Sequence, residues 1–114
     1  MGVQVASTTA LSIAANTKSS DIVSGTYQFA PFDGEMIVYA KGSATGLNII
    51  VVVDGTAVIN DQAITFTGTA GAISKIDHEV ASLPVNQGAR IEVFGRNTTA
   101  GALTLDCIVE LNPY

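Results

Sequence analysis

The stretch LNIIVVVDG, residues 47–55, decides the fold of this chain. Its β-branched residues favour a strand, and Asp54-Gly55 favours a type I′ turn, which needs positive φ at both central residues. A strand with one wet face alternates apolar and polar residues, yet every residue from 49 to 53 is apolar. Both faces of this strand therefore need cover.

The two faces of the strand carry different side chains, because successive residues point to opposite sides. Ile50 and Val52 share one face. A two-layer sandwich covers one side of each sheet, and an exposed apolar strand promotes aggregation. We therefore expect a homo-oligomer, with a trimer favoured. The alternation of side chains does not tell which face of the strand lies in the core and which lies at the contact. The residues expected at a subunit or surface contact are Ile49, Val51, Val53, Leu11 and Ile13.

The composition is apolar and poor in charge. Of the 114 residues, 47% are hydrophobic and 13% charged, and the net charge is −5. This composition offers no basic patch for nucleic acid or an anionic membrane. The single cysteine, Cys107, has no internal disulfide partner. The N-terminus lacks the features of a secretory signal, and no apolar run is long enough to span a membrane, so we expect a soluble chain made without export.

Short apolar runs alternate with turn signals from Gly25 onward, which is typical of sandwiches and barrels. We predict an all-β, antiparallel, jelly-roll-like β-sandwich over residues 25–114, preceded by an extended N-terminal arm over residues 1–24. The alternative for the arm is a weak helix over residues 7–15. The eight predicted strands span residues 26–30, 35–41, 47–54, 56–60, 63–69, 78–85, 89–96 and 102–111.

The segment GARIEVFGRNTTAGALTLDCIVEL, residues 88–111, carries the clearest alternation. Ile91 and Val93 are predicted to face the core, with Arg90, Glu92, Phe94 and Arg96 outside. On the last strand the predicted core side is Leu103, Leu105, Cys107, Val109 and Leu111. The loop over residues 97–101 is long enough for a hairpin, which would bring Arg90 opposite Asp106 or Glu110.

The chain resembles the small jelly-roll proteins of bacteriophage particles, in particular head decoration or cement proteins. The shared features are an acidic composition, a shortage of predicted helix and a long predicted hairpin at the end of the chain. The resemblance covers residues 25–114 and rests on the pattern of residues 88–111. It implies an eight-stranded jelly roll, commonly trimeric, on the outer surface of a capsid. The family contributes no catalytic residues.

Side chains suited to catalysis are few, and we expect no enzyme. A Cys107–His78 pair is disfavoured because Cys107 lies on the apolar side of its strand. Asp77, His78 and Glu79 alternate between two faces and provide too few ligands for a metal. Asn97-Thr98-Thr99 fits a glycosylation sequon but suits hairpin chemistry better. We expect no cofactor and no metal.

The leading function from the sequence is a structural virion protein. Such a capsid decoration subunit would self-associate and bind the viral major capsid protein at the virion surface, after synthesis in the host cytoplasm. The alternative is a carbohydrate- or receptor-binding jelly roll, such as a fibre tip or lectin-like domain. That alternative needs an exposed aromatic side chain flanked by Asp or Asn. The candidate aromatics are Tyr27, Phe29, Phe32 and Tyr39.

Overall fold

The computed structural model describes residues 3–19, 21–23, 28–64, 67 and 78–113. Within these ranges the chain forms antiparallel strands and no α-helix. No helix in the described part of the chain has the length and apolar character to cross a membrane. The seven strands are β1 (Val3–Ile13), β2 (Gly34–Gly42), β3 (Leu47–Val53), β4 (Thr56–Ala63), β5 (Glu79–Val85), β6 (Ile91–Asn97) and β7 (Leu103–Pro113).

Two sheets form a β-sandwich, which confirms the predicted all-β jelly-roll class. The four-stranded sheet has the order β1-β7-β2-β5, and the three-stranded sheet has the order β4-β3-β6. Burial of apolar side chains from both inner faces holds the sheets together, since each buried Val, Leu or Ile stabilises the fold by about 1.5–3 kcal/mol. The large side chains buried between the sheets include Met36, Val38, Leu47, Ile49, Val51, Ile91, Val93, Leu105, Val109 and Leu111.

The hairpin predicted at Asp54-Gly55 is confirmed. Asp54 and Gly55 have φ of 52° and 83°, and Val53 pairs with Thr56 across the turn. β4 continues to Ala63, beyond the predicted end at residue 60. The predicted strands over 26–30 and 63–69 are described in part, at residues 28–30, 63, 64 and 67. Of these segments, Phe29 forms an isolated bridge with Arg90.

The predicted hairpin between the last two strands is wrong, because β6 and β7 belong to different sheets. Both strands have the predicted inward side, and these sides face each other across the core. A Cβ atom added at Gly95 would lie 2.5 Å from a methyl carbon of Leu105. Arg90 and Asp106 therefore form ion pairs with other residues.

Two ion pairs replace the one expected between Arg90 and the last strand. Nε of Arg90 lies 3.8 Å from a carboxylate oxygen of Glu92. The Asp106 carboxylate lies 4.0 Å from Nζ of Lys41, on the neighbouring strand β2. Alternation predicted which side of each strand faces the core, but the side that faces the core does not determine which strands are hydrogen-bonded neighbours.

The N-terminal segment is extended, as predicted, and residues 3–13 form a paired strand rather than the alternative helix. β1 pairs with β7 along the edge of the four-stranded sheet. Its register shifts between Gln4 and Ala6 and again between Thr8 and Leu11. Such bulges break the two-residue period, so the sequence shows little alternation here. Residues 3–13 and Val23, which is fully buried, are therefore part of the sandwich.

The structure identifies the core side of β3. Ile49 and Val51 are 0% exposed and Ile13 is 2% exposed, all within the core of the single chain. Val53 and Leu11 are partly buried and pack against the same core. Side chains buried in one chain are not available to another, so the contact expected through Ile13, Ile49 and Val51 needs correction. The contact expected at Leu11 and Val53 stays a prediction. Ile50 and Val52, both half-buried, occupy the outward side of β3.

Candidate functional site

Alternate residues along β6 and just before it form the outward side of the three-stranded sheet. We call Arg90, Glu92, Phe94 and Arg96 the outer strip. Arg90 and Arg96 are exposed, and Glu92 and Phe94 are half-buried. At roughly 3.4 Å per residue the outer strip is about 20 Å long. On β3, Ile50 lies beside Phe94 and Val52 beside Glu92, which widens the strip with apolar side chains.

The free edge of β6 is closed by residues 17–19 and 21–22. Ser19 donates its main-chain N–H to the carbonyl of Gly95 at 2.7 Å, and Ile22 donates to Val93 at 2.8 Å. Side chains complete the pairing. The Ser19 hydroxyl accepts from the N–H of Gly95, and Oδ1 of Asp21 accepts from the N–H of Val93, each at 3.0 Å. The edge strand is thereby protected from pairing with another chain.

This closure places Lys18 over the outer strip. Nζ of Lys18 lies 4.3 Å from the centroid of the Phe94 ring, within the range of a cation–π interaction. Farther along the strip, Nη1 of Arg96 donates to Oδ2 of Asp61 at 2.9 Å. Asp61 has φ of 56°, at a position where β4 breaks register with β3. The strip thus combines an aromatic ring with side chains held by charge contacts.

Phe29 stands at the other end of the strip. It is 56% exposed, and its backbone bridges that of Arg90. Residues opposite each other in an antiparallel bridge carry their side chains on the same side, so Phe29 and Arg90 are neighbours. Oδ1 of Asp54 accepts from the main-chain N–H of Arg90 at 3.0 Å. Phe29 therefore provides the exposed aromatic side chain that the carbohydrate-binding alternative needs, and Asp54 lies next to its neighbour Arg90.

The other predicted aromatic candidates do not join this surface. Tyr27 lies outside the described residues. Phe32 is partly buried against the core, and Tyr39 is 5% exposed. These two contribute to packing.

The residues considered for catalysis or metal binding are placed elsewhere. Burial raises the pKa of the Cys107 thiol to about 12, so it is not a nucleophile in the folded chain. Glu79 begins β5 and is exposed, His78 precedes it, and Asp77 lies outside the described residues. Among the described residues, no three side chains of His, Cys, Asp or Glu are grouped to hold a metal ion.

Asn97 has a structural role, as expected, but in a loop that joins the two sheets rather than in a hairpin. Its side chain is 0% exposed, and Nδ2 donates to the carbonyls of Ile13 at 3.0 Å and Gly101 at 2.8 Å. Oδ1 accepts from the N–H and the hydroxyl of Thr99. A side chain engaged in this way is inaccessible to a glycosylating enzyme in the folded protein. Asn97 therefore ties the end of β1 to the loop after β6.

Asp21 is the described carboxyl whose ionisation departs from its ordinary range. Partial burial raises its pKa, and the N–H groups of Val93 and Val23 offset part of that rise. Nε2 of Gln28 also donates to Oδ2 of Asp21 at 2.8 Å. Neither Asp21 nor Lys18 was predicted from the sequence, because their positions depend on how residues 17–19 and 21–22 pair with β6.

The sequence matches no protein-family model and no curated protein. Solved structures are similar in fold. One is a family 35 carbohydrate-binding module from Clostridium thermocellum, with a TM-score of 0.55, 12% identity, and coverage of 100% of this chain and 99% of the module. That likeness shows a shared jelly-roll β-sandwich.

Two further structures have lower TM-scores. A family 36 carbohydrate-binding module in complex with calcium and xylotriose has a TM-score of 0.44 and 15% identity, covering 95% of this chain and 97% of the module. The CBM36-1 domain of a multidomain xylanase from the hindgut metagenome of Trinervitermes trinervoides has a TM-score of 0.40 and 11% identity, covering 100% and 97%. The expected trimer and capsid partner stay predictions.

Proposed function

We propose that this chain is a non-catalytic carbohydrate-binding module and that a polysaccharide chain lies along its outer strip. The observation that carries the proposal is the exposed ring of Phe29 beside Arg90, in line with Glu92 and Phe94. Aromatic faces suit the C–H faces of sugar rings, and charged side chains hydrogen-bond hydroxyl groups. The strip has both kinds of group.

The shape of the surface favours a polymer over a small ligand. The strip is an outward sheet face about 20 Å long by strand geometry, whereas small-molecule sites are concave and enclose their ligand. An extended chain would contact Phe29, the guanidinium group of Arg90 and then Lys18, which lies over the ring of Phe94. Each contact is modest, and several along one chain add up to useful affinity.

The likeness to the family 35 carbohydrate-binding module supports the proposal at the level of fold. A shared fold does not imply a shared ligand, so the argument depends on the residues of the strip. The sequence-based alternative of a carbohydrate-binding jelly roll is thereby preferred to the capsid decoration subunit. That preference is supported by Phe29, because its exposed ring is the aromatic side chain that the carbohydrate-binding alternative needs.

Affinity electrophoresis through gels containing soluble polysaccharides tests this function. We expect Phe29→Ala to weaken retardation by about tenfold in apparent affinity, since loss of a stacked ring costs about 1.4 kcal/mol. Val58→Ala is the matched control, because Val58 on β4 is also a large exposed hydrophobic residue, 47% exposed. Equal retardation of both variants would contradict the proposed site, and no retardation of the native chain by any polysaccharide would contradict the function.

A further inference from the structure

A cleft opens where the two sheets meet at one side of the sandwich. Its walls come from β1, the edge of the four-stranded sheet, and from residues 21–22, which run beside β6. The cleft has a volume of about 190 Å³. Its lining residues are Ser7, Thr8, Leu11, Asp21 and Ile22. It is separate from the outer strip, which faces away from the sandwich.

The polar part of the lining is the carboxylate of Asp21, with Ser7 and Thr8 of β1 beside it. Oδ1 of Asp21 accepts two main-chain N–H groups, from Val23 and Val93, each at 3.0 Å. Oδ2 accepts from Nε2 of Gln28 at 2.8 Å. A carboxylate oxygen accepts about two hydrogen bonds, so Oδ2 keeps capacity for another donor. These bonds fix the orientation of the carboxylate before a ligand arrives, which lowers the cost of binding.

The apolar part of the lining lies against the core. Leu11 and Ile22 are partly buried hydrophobic residues packed on the core cluster. Together with Asp21, Ser7 and Thr8, they give the cleft both polar and apolar lining residues. A cyclic sugar has the matching character, because it carries hydroxyl groups around its rim and C–H groups on its faces. Among the described lining residues there is a carboxylate and no cationic side chain, which disfavours anionic ligands.

The volume limits the size of the ligand. Pockets for drug-sized molecules span about 300–1,000 Å³, so a cleft of about 190 Å³ accommodates one ring. We propose that the cleft between β1 and residues 21–22 is a second binding site, for a single neutral sugar ring held by Asp21, Ser7 and Thr8. This inference deepens the proposed function and rests on it, because it adds a one-ring site to a module that binds a longer chain elsewhere.

Titration of ¹⁵N-labelled protein with neutral methyl glycosides, followed by amide chemical shifts, tests the cleft. We expect shifts at the amides of Ser7, Thr8 and Ile22, and none there with glycerol or sorbitol if a ring is required. Shifts caused equally by the acyclic polyols would overturn the assignment to a sugar ring. Absence of shifts at these amides with every glycoside would overturn the site.

Two variants separate occupation of the cleft from a general effect on folding. Ser7→Phe should fill the cleft and abolish the shifts, whereas Ser12→Phe, at an exposed position on the same strand, should preserve them. Asp21→Asn keeps an oxygen for the two N–H groups but loses the charge, and should weaken glycoside binding about tenfold. Native-like binding by Ser7→Phe and Asp21→Asn would overturn the proposal.

The same proteins distinguish this inference from the proposed function. If the cleft alone is misassigned, polysaccharide retardation that depends on Phe29 persists and no glycoside shifts appear. If the outer strip is misassigned, glycoside shifts at Ser7 and Thr8 remain while Phe29→Ala has no effect on retardation. Ser7→Phe should leave polysaccharide retardation unchanged, because Ser7 is not part of the strip.

Discussion

Asp21 shows how one residue organises a surface that the hydrophobic pattern does not reveal. Its carboxylate accepts N–H groups from Val93 and Val23 and the amide of Gln28. It therefore joins the segment before Phe29 to β6. Partial burial disfavours its charged form, whereas hydrogen bonding to the main chain favours it. Burial is the larger effect and raises the pKa.

This raised pKa predicts a pH dependence of stability. A carboxyl with a higher pKa in the folded than in the unfolded chain favours folding at pH values below its ordinary pKa. That contribution is lost as the pH rises through the raised pKa. Asp21→Asn stays neutral throughout, so we expect its free energy of unfolding, relative to the native chain, to increase as the pH rises across this interval. Urea unfolding at a series of pH values measures the difference.

The control for this experiment is the difference curve itself, since titration of all other groups is common to both proteins. The expected curve is flat well below the ordinary carboxyl pKa, rises through the raised pKa, and is flat above it. A difference that falls with pH would show that hydrogen bonding outweighs burial at Asp21.

In strand β3, the structure shows what covers each face of the run of apolar residues. Ile49 and Val51 fill the core, whereas Ile50 and Val52 are half-buried beside Phe94 and Glu92. Neighbours in the same sheet therefore provide part of the cover that the sequence assigned to another subunit. The remaining exposed area belongs to the outer face that we propose for carbohydrate.

Two adjacent substitutions on β3 should destabilise the chain to very different extents. Val51→Asp places a charge in the core and should destabilise the chain by about 3–5 kcal/mol, enough to unfold a marginally stable domain. Val52→Asp places the charge at a half-buried outward position and should cost about 1 kcal/mol or less. Thermal unfolding followed by circular dichroism measures both. Equal destabilisation would contradict the assignment of faces.

The expected trimer concerns the same face and stays a prediction. A subunit contact over Ile50 and Val52 would cover the outer strip, so trimer formation there and glycan binding exclude each other. Sedimentation of the folded Val52→Asp variant beside the native chain distinguishes the two uses. The glycan proposal expects both to be monomers, and a native trimer that Val52→Asp dissociates would count against it.

Local rules predicted some elements and not others. The alternation of β7 and the Asp54-Gly55 turn were predicted because each depends on residues close in sequence. Pairing of β1 was not predicted, because two bulges break its period and Ser and Thr are frequent there. The partner of β6 was also not predicted, since alternation specifies an inward side and not a neighbour. Phe29 was predicted from the sequence as a candidate aromatic for carbohydrate binding, but its exposure depends on the fold around Arg90.

Across the whole sandwich, the residues that stabilise the fold are different from those that we propose to bind carbohydrate. The inner faces of both sheets supply the core, and Cys107 is buried there without a disulfide. The outward side of the three-stranded sheet carries Phe29, Phe94 and the charged residues between them. Our central claim is that this outward side binds a polysaccharide chain.

The most direct measurement is a map of amide chemical shifts for the ¹⁵N-labelled native chain as an oligosaccharide is added. The oligosaccharide should be a fragment of the polysaccharide that retards the chain most strongly. We predict that the largest amide shifts fall on Phe29, Arg90, Glu92 and Phe94. Largest shifts on β2 or β5 of the four-stranded sheet, or no shift with any oligosaccharide, would contradict it.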